Sequence, residues 1–444
     1  MDALNHPSIV RFRQRQSDAP APVSILDAGE VRLLCLEAGA DDVGFVSLDR
    51  PEMASEREDV LRALPSARTL ISFVVRMNRA STQSPFRSVA NLEFHATGDE
   101  VNEIARRITA ALEERGVRAF NAAMGFPMEM DRWPGKTWVV SHKPVAVAAG
   151  LGGIGIHRNV IHPKFGNFIL LGTVVTEAEI SEETPPLDYN PCLECKLCVA
   201  ACPVGAIGAD GSFNFSACYT HNYREFMGGF NDWVDGIAES KSALDYRKRT
   251  SDSETVSMWQ SLSFGANYKA AYCMAVCPAG EDVLGPFLTD RKTYLDEVVR
   301  PLQDKEETVF VLAGSDPEAY VPRRFPHKKM KRVRSGLRTR SIPRFLQGLP
   351  LFFQKTPSDG LNATYHFTFT GEESAEVTVV IRNKTLDVQQ GHQGKADLRV
   401  TADSQTWLRF LAGEANLAWA LLRRKIRLSG PPRLLVAFGK CFPS

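Results

Sequence analysis

The sequence has no long apolar run, no excess of charge of one sign, and no start of the kind that directs secretion. No apolar stretch reaches the about 18 residues that a membrane-spanning helix needs. The 53 Lys and Arg residues nearly match the 52 Asp and Glu residues. The opening stretch, MDALNHPSIVRFRQRQS, has no apolar signal core and no twin arginine. We therefore expect a cytoplasmic protein without a transmembrane segment, and no overall field that would attract nucleic acid or membrane.

Disulfide bonds are also not expected, because most of the nine cysteines are clustered in a large chain without a signal segment. Two cysteines stand alone: Cys35 lies in a helical apolar pattern typical of a core residue, and Cys441 has no assigned role. The other seven are predicted to bind metal and are Cys192, Cys195, Cys198, Cys202, Cys218, Cys273 and Cys277.

The run CLECKLCVAACP has the spacing C-x2-C-x2-C-x3-C-P, which is typical of bacterial ferredoxins that hold 4Fe-4S clusters. A structural zinc site would normally use two separated C-x2-C pairs. In two-cluster ferredoxins the fourth cysteine of such a run serves the other cluster. The spacing therefore assigns two sets of ligands, which are Cys192, Cys195, Cys198 and Cys277 for one cluster and Cys202, Cys218 and Cys273 for the other.

The second set is one thiolate short, because Ala270 stands where a complete second run would place a cysteine. The second centre is then either a three-iron cluster or a four-iron cluster with a non-cysteine ligand. His221 and Tyr272 are near in sequence, and the sequence does not choose between these alternatives. A single cluster with two incidental cysteines is a further interpretation.

Composition divides the chain into five segments. The expected fold class is α/β for a core at 25–184, in which strands and helices alternate, with an inserted ferredoxin-like module and a C-terminal α+β domain. The stretch KTWVVSHKPVAVAAG is predicted to be a buried strand within that core. The remaining boundaries are an N-terminal arm at 1–24, an iron–sulfur module at 185–300, a basic linker at 301–350 and a last domain at 351–444.

The stretch AAGLGGIGIHRN contains the letters G-x-G-x-x-G, which in another context indicate a dinucleotide site. That site needs a long helix after the glycines, whereas here Pro163 and Gly166 follow within a dozen residues. We therefore do not predict NAD or FAD binding.

The combination of AGLGGIGIHRNVI, FGNFILLGTVVTE and the cysteine run resembles epoxyqueuosine reductases and reductive dehalogenases over about residues 25–300. The resemblance implies a nitroreductase-like core that binds a corrinoid (cobalamin), with electrons passing through two iron–sulfur clusters to cobalt. It also implies that glycine lets the backbone approach the macrocycle. The residues it places near the corrinoid are Gly150, Gly152, Gly153, Gly155, His157 and Asn159.

The proton donor departs from that family. Epoxyqueuosine reductases have an aspartate where this chain has Ser141, and a serine hydroxyl is a poor acid. His142 or Lys143 could donate instead, or the SHK stretch only caps a strand. Tyr219 and Tyr223 follow Cys218 and could donate a proton, or pack around the cluster. The candidate catalytic residues are therefore Ser141, His142, Lys143 and Tyr219.

Residues from about 355 to 440 resemble the sterol carrier protein type 2 fold, in the order of four strands, a helix and the segment IRLSG. The resemblance implies an apolar tunnel for lipids or similar molecules. The domain could instead form a homodimer or cover the active site. Epoxyqueuosine reductases have a tRNA-reading repeat in its place, so nucleic acid is not an expected partner. The basic strip at 323–345 could bind RNA phosphates, anionic lipid heads or an acidic electron donor, or be a solvated linker.

The leading hypothesis is an iron–sulfur- and corrinoid-dependent oxidoreductase that cleaves a bond in a small hydrophobic substrate, as in reductive dehalogenation. A ferredoxin or flavodoxin-type protein is the expected electron donor. The alternatives are a non-catalytic iron–sulfur electron carrier with a lipid-binding module, and a tRNA-modifying enzyme similar to epoxyqueuosine reductase.

Overall fold

The computed structural model describes residues 5–16 and 24–443 of the chain. Of the expected N-terminal arm, helix α1 spans Pro7–Gln16. The arm residues 1–4 and 17–23 lie outside the described residues. Within the described ranges, no helix has both the length and the apolar character needed to cross a membrane.

The first unit is a four-stranded antiparallel sheet covered by helices on both faces, in the order β2-β3-β7-β4. Strand β3, TLISFVVR, is apolar nearly throughout because alternate residues enter two different cores. Phe73 packs with the α2–α5 side, and Leu70 packs with the α3–α6 side. The elements are β1 Ile25–Leu26, α2 Ala28–Glu37, β2 Asp42–Ser47, α3 Ala54–Ala63, β3 Thr69–Arg76, α4 Arg79–Thr82, α5 Arg87–Glu114, β4 Ala119–Asn121, α6 His142–Ala148, β5 Gly153–Ile154, β6 Val160–Ile161, β7 Ile169–Thr176 and β8 Glu179–Ile180.

The segment KTWVVSHKPVAVAAG is not a strand, contrary to the sequence-based prediction. Residues His142–Ala148 form helix α6, with Ser141 at its N-cap position. Pro144 lies in the first turn, where a helix does not need its missing N–H. Val145 and Ala148 are buried against the sheet, so tertiary packing decides the conformation of a short apolar run that also fits a strand.

The segment that carries the clustered cysteines is built from short helices around its own apolar core. Extended pairing within residues 185–300 is limited to a bridge between Ile207 and Phe213. The likeness to ferredoxins therefore rests on the spacing of the cysteines alone. The helices are α7 Leu197–Ala201, α8 Phe215–Asn222, α9 Gly228–Ala238, α10 Ala243–Arg249, α11 Asp252–Phe264, α12 Tyr272–Ala275, α13 Glu281–Thr289, α14 Arg291–Tyr294 and α15 Arg300–Gln303, with a π-helical turn at Leu295–Val299.

Residues 301–350 are folded, contrary to the expected basic linker. Strands β9 (Thr308–Leu312) and β10 (Lys329–Val333) pair in parallel and are joined by α16 (Asp316–Arg324). Helix α17 (Ile342–Phe352) already belongs to the core of the C-terminal unit.

Part of the basic strip is neutralised by carboxylates of the preceding segment. Arg334 contacts both Asp232 and Glu239 at 2.8 Å, and Lys331 contacts Glu254 at 2.6 Å. These carboxylates are about 80 to 100 positions earlier in the chain. The sequence of the strip therefore shows the cations without the carboxylates that pair with them.

The C-terminal unit is a five-stranded sheet with helices, in the order β13-β12-β11-β14-β15. Strands β11 to β13 form a meander, and β14 pairs in parallel with β11. Asp403 caps α18, because its side chain accepts the Thr406 N–H. The elements are β11 Ala363–Thr370, β12 Ala375–Arg382, β13 Thr385–Gln390, β14 Leu398–Asp403, α18 Ser404–Leu411, α19 Leu417–Leu422, β15 Ile426–Ser429 and α20 Arg433–Lys440.

Candidate functional site

Four of the clustered cysteines border one cavity of about 280 Å³, including its open mouth. Cys192, Cys195 and Cys198 approach it from the loop that enters α7, and Cys277 approaches it from the end of α12. These are the four residues that the spacing assigns to the first cluster. Glu194 and Lys196 have left-handed backbone φ angles of 50° and 62°, which turn this loop tightly enough for three thiols to face one space.

The other three cysteines form a neighbouring group. The thiols of Cys202, Cys218 and Cys273 interact electrostatically with one another, and they come from the end of α7, from α8 and from α12. The backbone N–H of Ala206 donates to Cys202 Sγ at 3.3 Å. Such N–H groups stabilise a thiolate and tune a bound cluster.

Burial dominates the acidity of the more deeply buried thiols. It raises the pKa of Cys273 to about 11 and that of Cys198 to about 12, and it also raises the pKa of Cys277. Without a metal these three thiols stay protonated at neutral pH, and metal binding must displace their protons. In the described part of the chain, no group of three or more His, Cys, Asp or Glu residues is arranged to hold a single metal ion. Four thiols around one cavity fit a polynuclear cluster, in which each thiolate binds a different iron.

Of the two suggested fourth ligands of the second group, Tyr272 is engaged elsewhere, whereas His221 keeps its Nε2 without a hydrogen-bond partner among the described residues. Tyr272 donates its hydroxyl to Glu307 at 2.7 Å. His221 is fully buried beside Phe310, whose N–H donates to its Nδ1, and its charged neighbours are lysines and an arginine. Burial and these cations lower the pKa of His221 to about 3.

Lys143 is the predicted catalytic residue that reaches the second group. Its Nζ donates to Arg158 O at 2.9 Å and to Asn159 Oδ1 at 2.8 Å. Its positive charge favours the thiolate forms of Cys218 and Cys273. The side chain is accessible to solvent, yet protein surrounds it on most sides, so desolvation lowers its pKa while the two thiols oppose that change. We call this solvent-accessible position of Lys143, beside the second cysteine group, the recess.

Ser141 and His142 are held by the fold. The Ser141 N–H donates to Glu56 Oε2 at 2.8 Å. The His142 Nε2–H donates to Ala123 O at 2.8 Å, and Nδ1 accepts from the Thr173 hydroxyl at 2.9 Å. Both ring nitrogens are thus used inside the protein, which leaves His142 without a free proton for a substrate.

The buried, neutral state of His142 can be tested through the pH dependence of protein stability. Burial lowers its pKa. Below the unfolded-state pKa of about 6.5, the unfolded chain takes up a proton that the folded chain excludes. The free energy of unfolding therefore falls on acidification, by up to about 1.4 kcal/mol per pH unit from this residue.

We expect His142→Gln, which keeps one donor and one acceptor, to lose less stability than the unmodified protein between pH 7 and 5.5. Urea unfolding at the two pH values measures this difference. His327→Gln, at an exposed position, is the matched control. An unchanged pH dependence in His142→Gln would show that His142 is not the titrating group.

Tyr219 is part of an aromatic stack rather than an exposed acid. It is 2% exposed and lies 4.9 Å from Trp133 between ring centroids. Burial raises its pKa. Tyr219 therefore packs beside Cys218, which is one of the two roles that the sequence suggested.

The glycines at 150–155 are explained by packing within the chain. A side chain at Gly150 would meet Pro185 O at 2.3 Å, and one at Gly152 would meet Ile161 O at 2.4 Å. Gly153 faces Asn190, and Gly155 faces the His157 ring at 2.8 Å. The direction in which each glycine lacks a side chain is thus filled by protein, which by itself requires glycine here, and the contact of these residues with a corrinoid stays a prediction.

His157 is likewise engaged within the protein. Its Nδ1 accepts the Asn159 N–H at 3.1 Å, and its Nε2 lies 3.3 Å from the Asn167 side-chain amide. Burial, assisted by Lys143, lowers its pKa to about 4. Its ring also borders the first cysteine cavity, so His157 links the glycine segment to that cavity.

An aromatic cluster adjoins the second cysteine group, and most of its residues are not recognisable as a cluster from the sequence. The Tyr223 hydroxyl interacts electrostatically with the thiols of Cys218 and Cys273, and its ring contacts Phe226 and Tyr268. Phe126 and Phe94 extend the cluster on either side. Tyr268 stands two residues before Ala270, so an aromatic residue just ahead of the incomplete second run was the available signal.

Comparisons with known proteins find relatives that match part of this chain. The epoxyqueuosine reductase of Lactococcus garvieae is 27% identical over 183 residues, which are 40% of this chain and 50% of that protein. The Vibrio cholerae epoxyqueuosine reductase is 23% identical over 227 residues, or 45% of this chain and 59% of that protein. This chain is similar to epoxyqueuosine reductases. It spans about half the length of these curated relatives, which are oxidoreductases by name.

The C-terminal resemblance is also found. Residues 354–443 match the family model described as the SCP-2 sterol transfer family. This match confirms the predicted sterol carrier-like domain.

Solved structures with partial likeness include an epoxyqueuosine reductase with a tRNA stem loop, at 17% identity and a TM-score of 0.32 over 45% of this chain and 56% of that one. A B12-dependent reductive dehalogenase has 14% identity and a TM-score of 0.34 over 53% of this chain and 34% of that one.

Proposed function

We propose that this protein is an iron–sulfur reductase with two clusters beside a recess for a small apolar substrate. The observation that carries the proposal is the grouping of seven cysteines into a set of four around one cavity and a set of three beside Lys143. Neighbouring clusters are an arrangement for electron transfer. A lone structural metal would not need seven thiols.

The first set fits a four-iron cluster, since four thiols from two chain segments face one space. The second set offers three thiols and a recess, so its cluster would have one position without a protein thiolate. A corrinoid, when bound, would supply a low-potential cobalt centre. The glycines do not provide an open wall for that group, so its binding rests on the similarity to the named relatives.

The recess has the components for an apolar substrate. The rings of Tyr223 and Phe226 supply apolar surface, while Lys143 supplies a cation with a lowered pKa. A lysine with a lowered pKa is a better proton donor at neutral pH than an ordinary lysine. We assign proton donation to the Lys143 Nζ in preference to Ser141, His142 or Tyr219, because those three are held or buried by the fold.

The C-terminal unit is proposed to cover the cysteine segment. Its core is filled by aromatic side chains, with Phe367 within 5.7 Å of Trp407 between ring centroids. Asn214, the N-cap residue of α8, donates from Nδ2 to the buried Gln354 Oε1 at 3.1 Å. Helix α8 carries Cys218, so the C-terminal unit supports a predicted cluster ligand directly.

Reduction of a modified tRNA is the second candidate function, because a relative of this chain binds a tRNA stem loop. The basic strip gives it little support, since Lys331 and Arg334 are already paired with carboxylates.

The test uses anaerobically purified full-length protein reconstituted with iron and sulfide. Absorption and paramagnetic resonance spectra are expected to show two kinds of iron–sulfur centre, and added cobalamin is expected to co-elute with the protein. Turnover with reduced methyl viologen is then compared between a halogenated phenol and an epoxyqueuosine-containing stem loop. Absence of any cluster would overturn the proposal. Turnover of the stem loop alone would favour the tRNA candidate.

A further inference from the structure

A second cavity lies apart from the cysteine recess and has no role in the proposed reaction. It measures about 470 Å³ with its open mouth and lies between the start of α5, residues 268–275 and the end of α15. The cationic side chains of Arg87, Lys269 and Lys305 line it, and no carboxylate does.

The charges around this cavity are not balanced. The buried Glu225 contacts both Arg87, at 3.5 Å, and Lys269. Glu307 is likewise shared by Lys305 at 3.9 Å and by Lys328 at 2.8 Å. Four cations therefore share two carboxylates. Glu254, a further carboxylate that acts on Lys269, is itself paired with Lys331.

The excess positive charge is destabilising because the lysines that carry it are partly buried. Desolvation lowers the pKa of Lys269, and the charge of Arg87 lowers it further. Desolvation also lowers the pKa of Lys305, with Arg87 and Lys328 acting in the same direction. Partly buried cations that repel one another are stabilised by an anion that can contact several of them.

The remaining wall is flat and apolar. The rings of Phe94 and Tyr268 lie 4.6 Å apart between centroids, and both line the cavity together with Ala90 and Met274. Tyr272 adds a ring whose hydroxyl is already used by Glu307. The cavity thus joins a cationic side to an aromatic side.

We propose that this cavity binds a small molecule that carries a phosphate or carboxylate group on a flat apolar body. Arg87 and Lys305 contact the anionic group, and Phe94 and Tyr268 contact the body. The site is independent of the proposed reductase reaction, because neither Lys143 nor a clustered cysteine lines it.

Isothermal titration calorimetry on the full-length protein tests the two parts of the ligand separately. The probes are phenyl phosphate, benzoate, inorganic phosphate and phenol. Phenyl phosphate or benzoate is expected to bind, with inorganic phosphate and phenol at least about tenfold weaker. Comparing the first two probes distinguishes a phosphate from a carboxylate ligand. Binding of phenol as tightly as the aromatic anions, or binding of neither anion, overturns the proposal.

Two variants locate the binding. Lys305→Gln removes one cation and is expected to weaken binding of the aromatic anion about tenfold, whereas Lys305→Arg retains it. Ala90→Phe fills the cavity without removing any cation and is expected to abolish binding. Lys329→Gln makes the same charge change at an exposed position outside the cavity and serves as the control. Circular dichroism melts confirm folding, and unchanged affinity in both Lys305→Gln and Ala90→Phe overturns the assignment.

Discussion

Cys277→Ser is expected to remove the cluster of the first cysteine group and to leave the second group loaded. Cys277 is the ligand of that group contributed by a distant segment, since the other three lie within seven consecutive residues. Serine is a poor substitute, because iron in such clusters is held by soft thiolates. Iron and sulfide analysis of anaerobically purified protein should show a loss of about four irons per chain.

The second cysteine group is expected to remain visible in the paramagnetic resonance spectrum of Cys277→Ser. Cys441→Ser is the matched control, because Cys441 is also buried but its thiol only donates to Ala437 O within the C-terminal unit. A serine hydroxyl can make the same bond, so the iron content of that variant should not change. Full iron content in Cys277→Ser would show that the cavity of the first group is not a cluster site.

Elements with strong periodicity or continuous apolar runs could be predicted from the sequence. Strand β7 and helix α18 fall where their patterns place them, and the Asp403 cap is recognisable because the capping contact spans three residues. Helix α6 could not be recognised, since VAVAAG is equally apolar on all sides and only burial against the sheet selects the helix.

The cysteine grouping was accessible because cluster ligands are set by short spacings along the chain. The role of the glycines was not. Gly150 and Gly152 are needed because another backbone approaches closely, and a ligand at the same place would impose the same requirement. The sequence alone does not show which group, another backbone or a ligand, occupies the space that a side chain would take. The pairing of Arg334 with Asp232 was equally hidden, because those residues meet only through tertiary structure.

Ala270→Cys is expected to convert the second cluster from a three-iron to a four-iron centre. Ala270 packs against the same core as Cys218 and Cys273, and its N–H is held by Asn222 Oδ1 at 2.8 Å. The backbone there is therefore fixed beside the two ligands. Tyr272, one of the other suggested ligands, donates its hydroxyl to Glu307, whereas His221 is engaged through Nδ1 and keeps Nε2 unpaired among the described residues. A thiol at position 270 would supply the ligand that the spacing of a full second run requires.

The measurement is paramagnetic resonance of the oxidised and reduced protein together with iron analysis. The unmodified protein should show the signal of an oxidised three-iron cluster. Ala270→Cys should lose that signal, gain one upon reduction and bind about one more iron per chain. Ala271→Cys is the matched control, because Ala271 lines the separate cationic cavity and a thiol there should leave the spectrum unchanged. If the unmodified protein already holds a complete four-iron centre, the three-thiol group must recruit a ligand from outside the cysteines, and His221 Nε2 or solvent beside Lys143 is the source to test.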